Sequence, residues 1–212
     1  MAQPTNTFDT YDSVGEREDL SDVIYSIAPT DTPFLSSAAK TKATAVLHEW
    51  QTDSLASAVT NNAVIEGDEA TLDASTATVR LSNSSQIMDK TVVITGTQES
   101  VDKAGRASEI AYQIAKRAKE LKRDMEATIT GNIAEAGGNS STARKMGTLG
   151  SWVTTNDDLA SDGASGAGAG NAAHTDGTQR AFTESQLKSV IKSVWNAGGD
   201  PSMVMVGPFN KQ

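Results

Sequence analysis

The chain has 212 residues and a mass of 22.2 kDa, enough for one large or two small domains, with 37% hydrophobic and only 5% aromatic residues. It contains no Cys, which excludes disulfides, thiol catalysis and Cys-ligated zinc, and no apolar run reaches the roughly eighteen residues that a membrane-spanning helix needs. The formal charge of −9 is carried entirely by residues 1–97; within residues 1–35 Asp9, Asp12, Glu16, Glu18, Asp19, Asp22 and Asp31 face only Arg17, which argues against a front segment that grips phosphates. A chain rich in Ala, Ser, Thr and Gly builds small cores, so stability drawn from neighbouring chains is expected. The N-terminus lacks a basic stretch followed by an apolar one, and an intracellular protein is the expectation.

Residues 1–19 are polar and aperiodic and are read as extended or disordered. Leu20, Val23, Ile24 and Ile27 have helical spacing, capped by Asp19 or Ser21 and stopped by Pro29. Thr30-Asp31-Thr32-Pro33-Phe34-Leu35 predicts an extended turn, because a residue before Pro avoids the helical region, with Phe34 and Leu35 as anchors. Residues 43–52 alternate as a strand that places Val46, His48 and Trp50 on one face, closed by Asp53. Residues 55–74 are polar, with Gly67 near the middle and acids at Glu66, Asp68, Glu69 and Asp73; Ala77, Val79 and Leu81 then alternate, so a long protruding hairpin is predicted. Asn83-Ser84-Ser85 breaks the pattern, and residues 86–95 resume it as a further strand rich in β-branched side chains.

Thr95 to Gln98 has the Thr-x-x-Gln form of a capping box, and Ile110, Ile114, Ala118, Leu121, Met125 and Ile129 recur at steps of three or four. The pattern predicts one amphipathic helix from about residue 97 to about 133, stopped at Gly137-Gly138. Its roughly 35 residues span roughly 50 Å, more than a compact domain of this size, so part of it is expected to lie along another subunit. Residues 147–153 read as a loop entering a short strand with Trp152 buried, and residues 155–179 as a Gly/Ala/Ser-rich surface excursion. Thr183-Glu184-Ser185-Gln186 is a second capping box; Leu187, Val190, Ile191, Val194 and Trp195 form one apolar face, and Gly198-Gly199 with Pro201 ends that helix. Met203 to Val206 predicts a short apolar strand. One helix and one strand begin an α/β layer without closing it, so the polypeptide is expected to continue past Gln212.

No motif points to catalysis or to a cofactor. His48 and His174 are the only imidazoles and stand in no metal-ligand spacing; His48 reads as a structural hydrogen-bonding residue and His174 as solvent-exposed. The acids from Glu66 to Asp73 lack the register of a calcium loop, and the glycines at 163, 166, 168 and 170 follow no strand and precede no Gly-Lys-Ser, so a flexible excursion is expected there rather than a phosphate loop. Lys116, Arg117, Lys119, Lys122 and Arg123 form a basic cluster interleaved with Glu120, Asp124 and Glu126; the spacings of Lys116 with Glu120 and Lys122 with Glu126 predict weak helical ion pairs rather than a nucleic-acid groove.

The order of these features resembles the major capsid proteins of tailed bacteriophages with the HK-97-like fold. Asp31-Thr32-Pro33-Phe34, His48-Glu49-Trp50-Gln51-Thr52-Asp53-Ser54-Leu55, Gly96-Thr97-Gln98-Glu99 and Trp195-Asn196-Ala197-Gly198-Gly199 are similar to one group of phage and prophage capsid proteins. The resemblance covers roughly residues 20–212. It implies an α+β fold with an N-terminal arm (1–40), a strand and extended hairpin loop (41–96), a spine helix in a peripheral domain (97–153), the surface excursion (154–179) and the start of an axial domain (180–212). It further implies pentamers and hexamers in a shell around double-stranded DNA, contacted weakly and without sequence specificity. Scaffolding, portal and decoration proteins are the implied partners, with assembly in the host cytoplasm and no cofactor or metal. On that reading Glu66, Asp68, Glu69, Arg80, Lys116, Lys119 and Arg123 are candidate contacts between subunits, and Phe34, Trp50, Trp152 and Trp195 are candidate anchors. An encapsulin-like cellular shell is the nearest alternative; an acidic extracellular adhesin or fibre domain, which should carry a secretion signal, is one from another class.

Overall fold

The computed structural model describes residue 24 and residues 31–211, which combine helices with one small antiparallel sheet in an α+β arrangement. The expected arm over 1–19 and the expected helix from Leu20 to Ile27 lie outside the described residues, apart from Ile24, which is exposed. Two compact units can be distinguished: among the described residues one comprises residue 24 and 90–120, the other 31–89 with 121–211.

The larger unit opens with helix α1 (Pro33–Ser37), where an extended turn was expected. Proline at the first helical position lacks only an N–H that a helix start leaves unpaired anyway, and its fixed φ suits a helix, so Thr32-Pro33 starts a helix rather than preventing one. Strands β1 (Leu47–Thr52) and β2 (Val79–Ser84) pair antiparallel with Trp50 opposite Leu81 and Thr52 opposite Val79, which leaves residues 53–78 as the predicted long hairpin loop. The Asn83-Ser84 pair does not end the strand as expected; both residues stay in the ladder, opposite His48 and Leu47.

Residues 85–95 form no strand despite their β-branched run. A strand is defined by its ladder, and Ile87 and Val93 stand 82% and 89% exposed with no neighbouring strand among the described residues. The same correction applies to residues 203–206, which carry no ladder and are exposed throughout.

The single long helix is two helices. Thr95 does cap a helix start, its Oγ1 accepting from the Gln98 N–H at 3.4 Å, but helix α2 (Gly96–Ser100) ends after five residues. The Lys103 ammonium reaches back to the carbonyls of Gln98, Glu99 and Val101 at 2.8–3.0 Å, satisfying the acceptors that a helix end leaves open. Gly105 then takes φ of +76°, which a continuous helix forbids. Helix α3 (Glu109–Ile129) starts afresh, with the Ala111 N–H on Ser108 Oγ and the Glu109 and Ile110 N–H groups on the Glu99 carboxylate. Its 21 residues span about 32 Å, and it ends at Thr130-Gly131 rather than at Gly137-Gly138. The length that had implied a second subunit beneath the helix is therefore gone.

Residues 149–152 form a short helix, α4 (Leu149–Trp152), where a strand was expected, and Trp152 is half-buried. Helix α5 (Glu184–Asn196) carries the predicted capping box between Thr183 and Gln186 and closes through the Gly199 N–H on the Val194 carbonyl. A 3-10 turn, Pro208–Lys211, follows.

Among the described residues no large hydrophobic side chain is fully buried. The interior of the larger unit is instead hydroxyls and backbone: Thr148 and Ser151 are 1% and 0% exposed, and Gly147, Gly166 and Gly170 are buried beside them. Thr148 Oγ1 donates to the Gly131 carbonyl at 2.7 Å and accepts from the Ile133 N–H at 2.8 Å, while the Thr148 N–H donates to the Ile133 carbonyl. Gly170, at φ +75°, leaves room that a Cβ would take from the Trp152 ring, 2.7 Å away. Such an interior is held by satisfied hydrogen bonds more than by apolar burial.

Candidate assembly surfaces

The hairpin is fixed at its root. The Asn83 side-chain amide exchanges two bonds with Gly147, donating to its carbonyl at 2.9 Å and accepting from its N–H at 2.8 Å, and Ser84 Oγ donates to Glu135 at 2.5 Å. The Trp50 ring packs on Trp152 at 5.1 Å, and His48 packs on Trp50 at 5.9 Å, so a ring contact holds His48 where a hydrogen bond was expected. Arg80 is engaged within the sheet by a two-pronged pair with Glu49, which leaves it less free for a neighbour than the sequence implied.

Beyond that root the loop is bare. Leu55, Val59, Val64, Ile65 and Leu72 are 72–100% exposed, and Glu66, Asp68 and Glu69 stand in solvent around the turn at Gly67. The Asp68 N–H donates to the Ile65 carbonyl, and few other bonds hold this tip. A segment with neither apolar burial nor a backbone ladder has little local stability of its own.

Helix α3 presents exposed Lys116, Lys119 and Arg123. The expected Lys116 to Glu120 pair is replaced by Arg117, whose Nη1 reaches Glu120 at 2.5 Å, and Glu126 turns away from Lys122 to the start of α1. Within the smaller unit the covered face of α3 is polar, formed by Glu109, Gln113 and Arg117, whereas Ile110 and Ile114 are 44% and 56% exposed. Three carboxylates there lie below their ordinary values: Glu99 through Ser108 and the α3 N–H groups, Glu109 through Gln113 and then Arg106, Glu120 through Arg117. Arg106 also covers the Tyr112 ring at 5.2 Å.

The excursion over 155–179 is ordered, not loose. Ala164 and Thr175 form a bridge, Asp162 accepts the Thr178 N–H, and Arg180 pairs with Asp158. His174, expected in solvent, is tied down: Asn132 exchanges two bonds with its backbone, and its ring nitrogens face the Gly150 carbonyl at 3.0 Å and Asp176 at 2.8 Å. Between this loop and α5 lies an open groove of about 660 Å³ lined by Leu159, Arg180, Phe182, Leu187 and Val190. Of the four candidate anchors, Trp50 and Trp152 meet, Phe34 is half-buried beside Glu126, and Trp195 is 66% exposed. Asn83, Asn132, Thr148 and Glu126 hold the unit together yet have no periodic signature that the sequence would reveal.

Among the described residues no cluster of His, Asp or Glu is placed to hold a metal, and no helix is long and apolar enough to cross a membrane. Residues 3–212 match the family described as SU10 major capsid protein. Over 126 residues the chain is 40% identical to the major capsid protein of Escherichia phage Phieco32, a match covering 59% of this chain and 36% of that relative. With the family match running through every unit described above, the chain belongs to the SU10 major capsid protein family.

Proposed function

We propose that the chain forms the shell of a phage head in the manner of an HK-97-like subunit. Residues up to 40 serve as an arm, residues 53–85 as the loop that reaches over a neighbouring subunit, α3 as the spine of a peripheral domain, and residues from 180 onward as the start of an axial domain. Pentamers and hexamers of this subunit enclose double-stranded DNA, and α3 and the loop change pose as the shell expands.

The loop over 53–78 is the observation that carries this reading. Covering one exposed aliphatic side chain contributes about 1.5–3 kcal/mol, so its five contribute roughly 10 kcal/mol before the entropy of ordering is subtracted. That gain is available only against another surface. The segment from 53 to 79 holds five acids and no Lys or Arg, while Lys116, Lys119 and Arg123 stand exposed on α3; a loop of one subunit on the helix of the next joins opposite charges. Repeated contacts of this heterologous kind, each modest, sum to a closed shell. An acidic subunit holds packaged DNA loosely and without sequence preference. Scaffolding, portal and decoration proteins complete the assembly in the host cytoplasm.

Electron microscopy and sedimentation of the protein expressed with and without its scaffold test this. Closed shells, or rings of five and six, are expected. A chain that stays monomeric at high concentration with the scaffold supplied would overturn the proposal.

A further inference from the structure

We propose that Glu126 is a latch that holds helix α1, the root of the N-terminal arm, against the C-terminal end of α3. The inference rests on the arm assignment above. Helix α1 has five residues, far too few to persist alone, and the side chain at its capping position, Thr32, meets Ser36 Oγ at 3.5 Å rather than capping a backbone N–H. The missing cap arrives from 92 residues away: one Glu126 oxygen accepts the Phe34 N–H at 2.8 Å, and the other accepts the Leu35 N–H 91 residues away, also at 2.8 Å. Pro33 has no N–H, and the Ser36 N–H donates to the Thr32 carbonyl at 3.0 Å. Every donor of the first turn is thereby accounted for, and two of them depend on this single carboxylate.

A negative charge at a helix start is favourable, and bonds to an ionised acceptor are the stronger kind. The arrangement also fixes register. Sliding α1 by one residue in either direction leaves one carboxylate oxygen without a donor, because Pro33 lies on one side and Ser36 is already paired on the other. The short helix therefore exists where α3 places Glu126, and a shift of this end of α3 during shell expansion is passed to α1 through this contact.

Hydrogen exchange on the full chain tests the latch at the amides of Phe34 and Leu35. E126A removes both acceptors and is expected to lower protection at both amides by about tenfold or more, whereas E126Q keeps one oxygen and turns an NH2 toward the other N–H, and is expected to lower protection at one of them. E120Q, which alters a separate ion pair with Arg117, leaves them unchanged. Amides at Thr148 and Ser151 report whether the unit remains folded; if E126A unfolds it, E126D, which keeps the charge and shortens the reach, gives the same reading. Wild-type protection at Phe34 and Leu35 in a folded variant overturns the latch. So does normal shell size and yield from a variant whose α1 has lost protection. If the wild-type chain forms no shells, the capsid reading fails while the exchange result at α1 still stands or falls separately.

Discussion

The indole rings of Trp50 and Trp152 lie 5.1 Å apart at a tilt of 42°, joining the first strand of the hairpin to the short helix α4. This contact and the Asn83 to Gly147 exchange couple the base of an otherwise unsupported loop to the hydroxyl-rich interior. Truncating Trp152 to Ala is expected to cost about 2–4 kcal/mol, and a double-mutant cycle with Trp50→Ala should return a coupling of about 0.5–1.5 kcal/mol. Urea unfolding followed by far-UV circular dichroism measures both; strictly additive losses would mean that the rings are neighbours without being partners.

Thr148 supplies a sharper test, because Val has nearly its shape and none of its hydrogen bonds. Thr148→Val strands the Ile133 N–H and removes the donor to the Gly131 carbonyl in a place that water does not reach. A loss of about 2 kcal/mol is expected, seen as a drop of several degrees in the thermal midpoint. A neutral or stabilising outcome would show that apolar packing, not bonding, holds this interior.

The contrast with what could be read from the chain lies in range. Both Thr-x-x-Gln motifs are local, four residues each, and both start helices where predicted, the second with both bonds of a capping box and the first with the Thr95 bond alone. The hairpin was equally legible, since alternation on either side of a polar stretch has few other solutions. The break between α2 and α3 was masked by the apolar stripe further along, although Gly105, Ser108 and Glu109 together spell a stop and a restart. Residues 86–95 and 203–206 have strand propensity and no partner strand, and propensity alone makes no ladder. The interior was illegible for a deeper reason: Asn83, Asn132 and Thr148 bond to backbone 15 to 64 residues away, and no period records a bond of that length.

Acid should loosen the smaller unit in a defined window. Glu99, Glu109 and Glu120 each sit below the ordinary value of 4.5, so their contribution is fully present above that pH and is lost as pH falls toward their folded values. Between pH 8 and pH 6 they add no pH dependence. Amide protection at Glu109 and Ile110, whose N–H groups Glu99 accepts, is expected to hold at neutral pH and to decline only below about pH 4.5. Protection that falls between pH 7 and 6 would contradict the assignment.

Leu55 and Leu72 separate folding from assembly, because they are 99% and 100% exposed in the single subunit. Replacing both with Ser removes nothing that the subunit buries, so its thermal midpoint should move by less than about 2 °C. Two covered leucines contribute about 3–6 kcal/mol at a contact between subunits, enough to weaken that contact by two orders of magnitude or more. The double variant is therefore expected to fold normally and to fail to form shells, read by sedimentation beside the unaltered chain. Exchange data add an independent arm: amides over 53–78 should be unprotected in the free subunit and slow in the shell. If these amides exchange at the same rate in both states, the loop does not lie on a neighbour, and its apolar side chains must be explained by some contact other than the one between subunits.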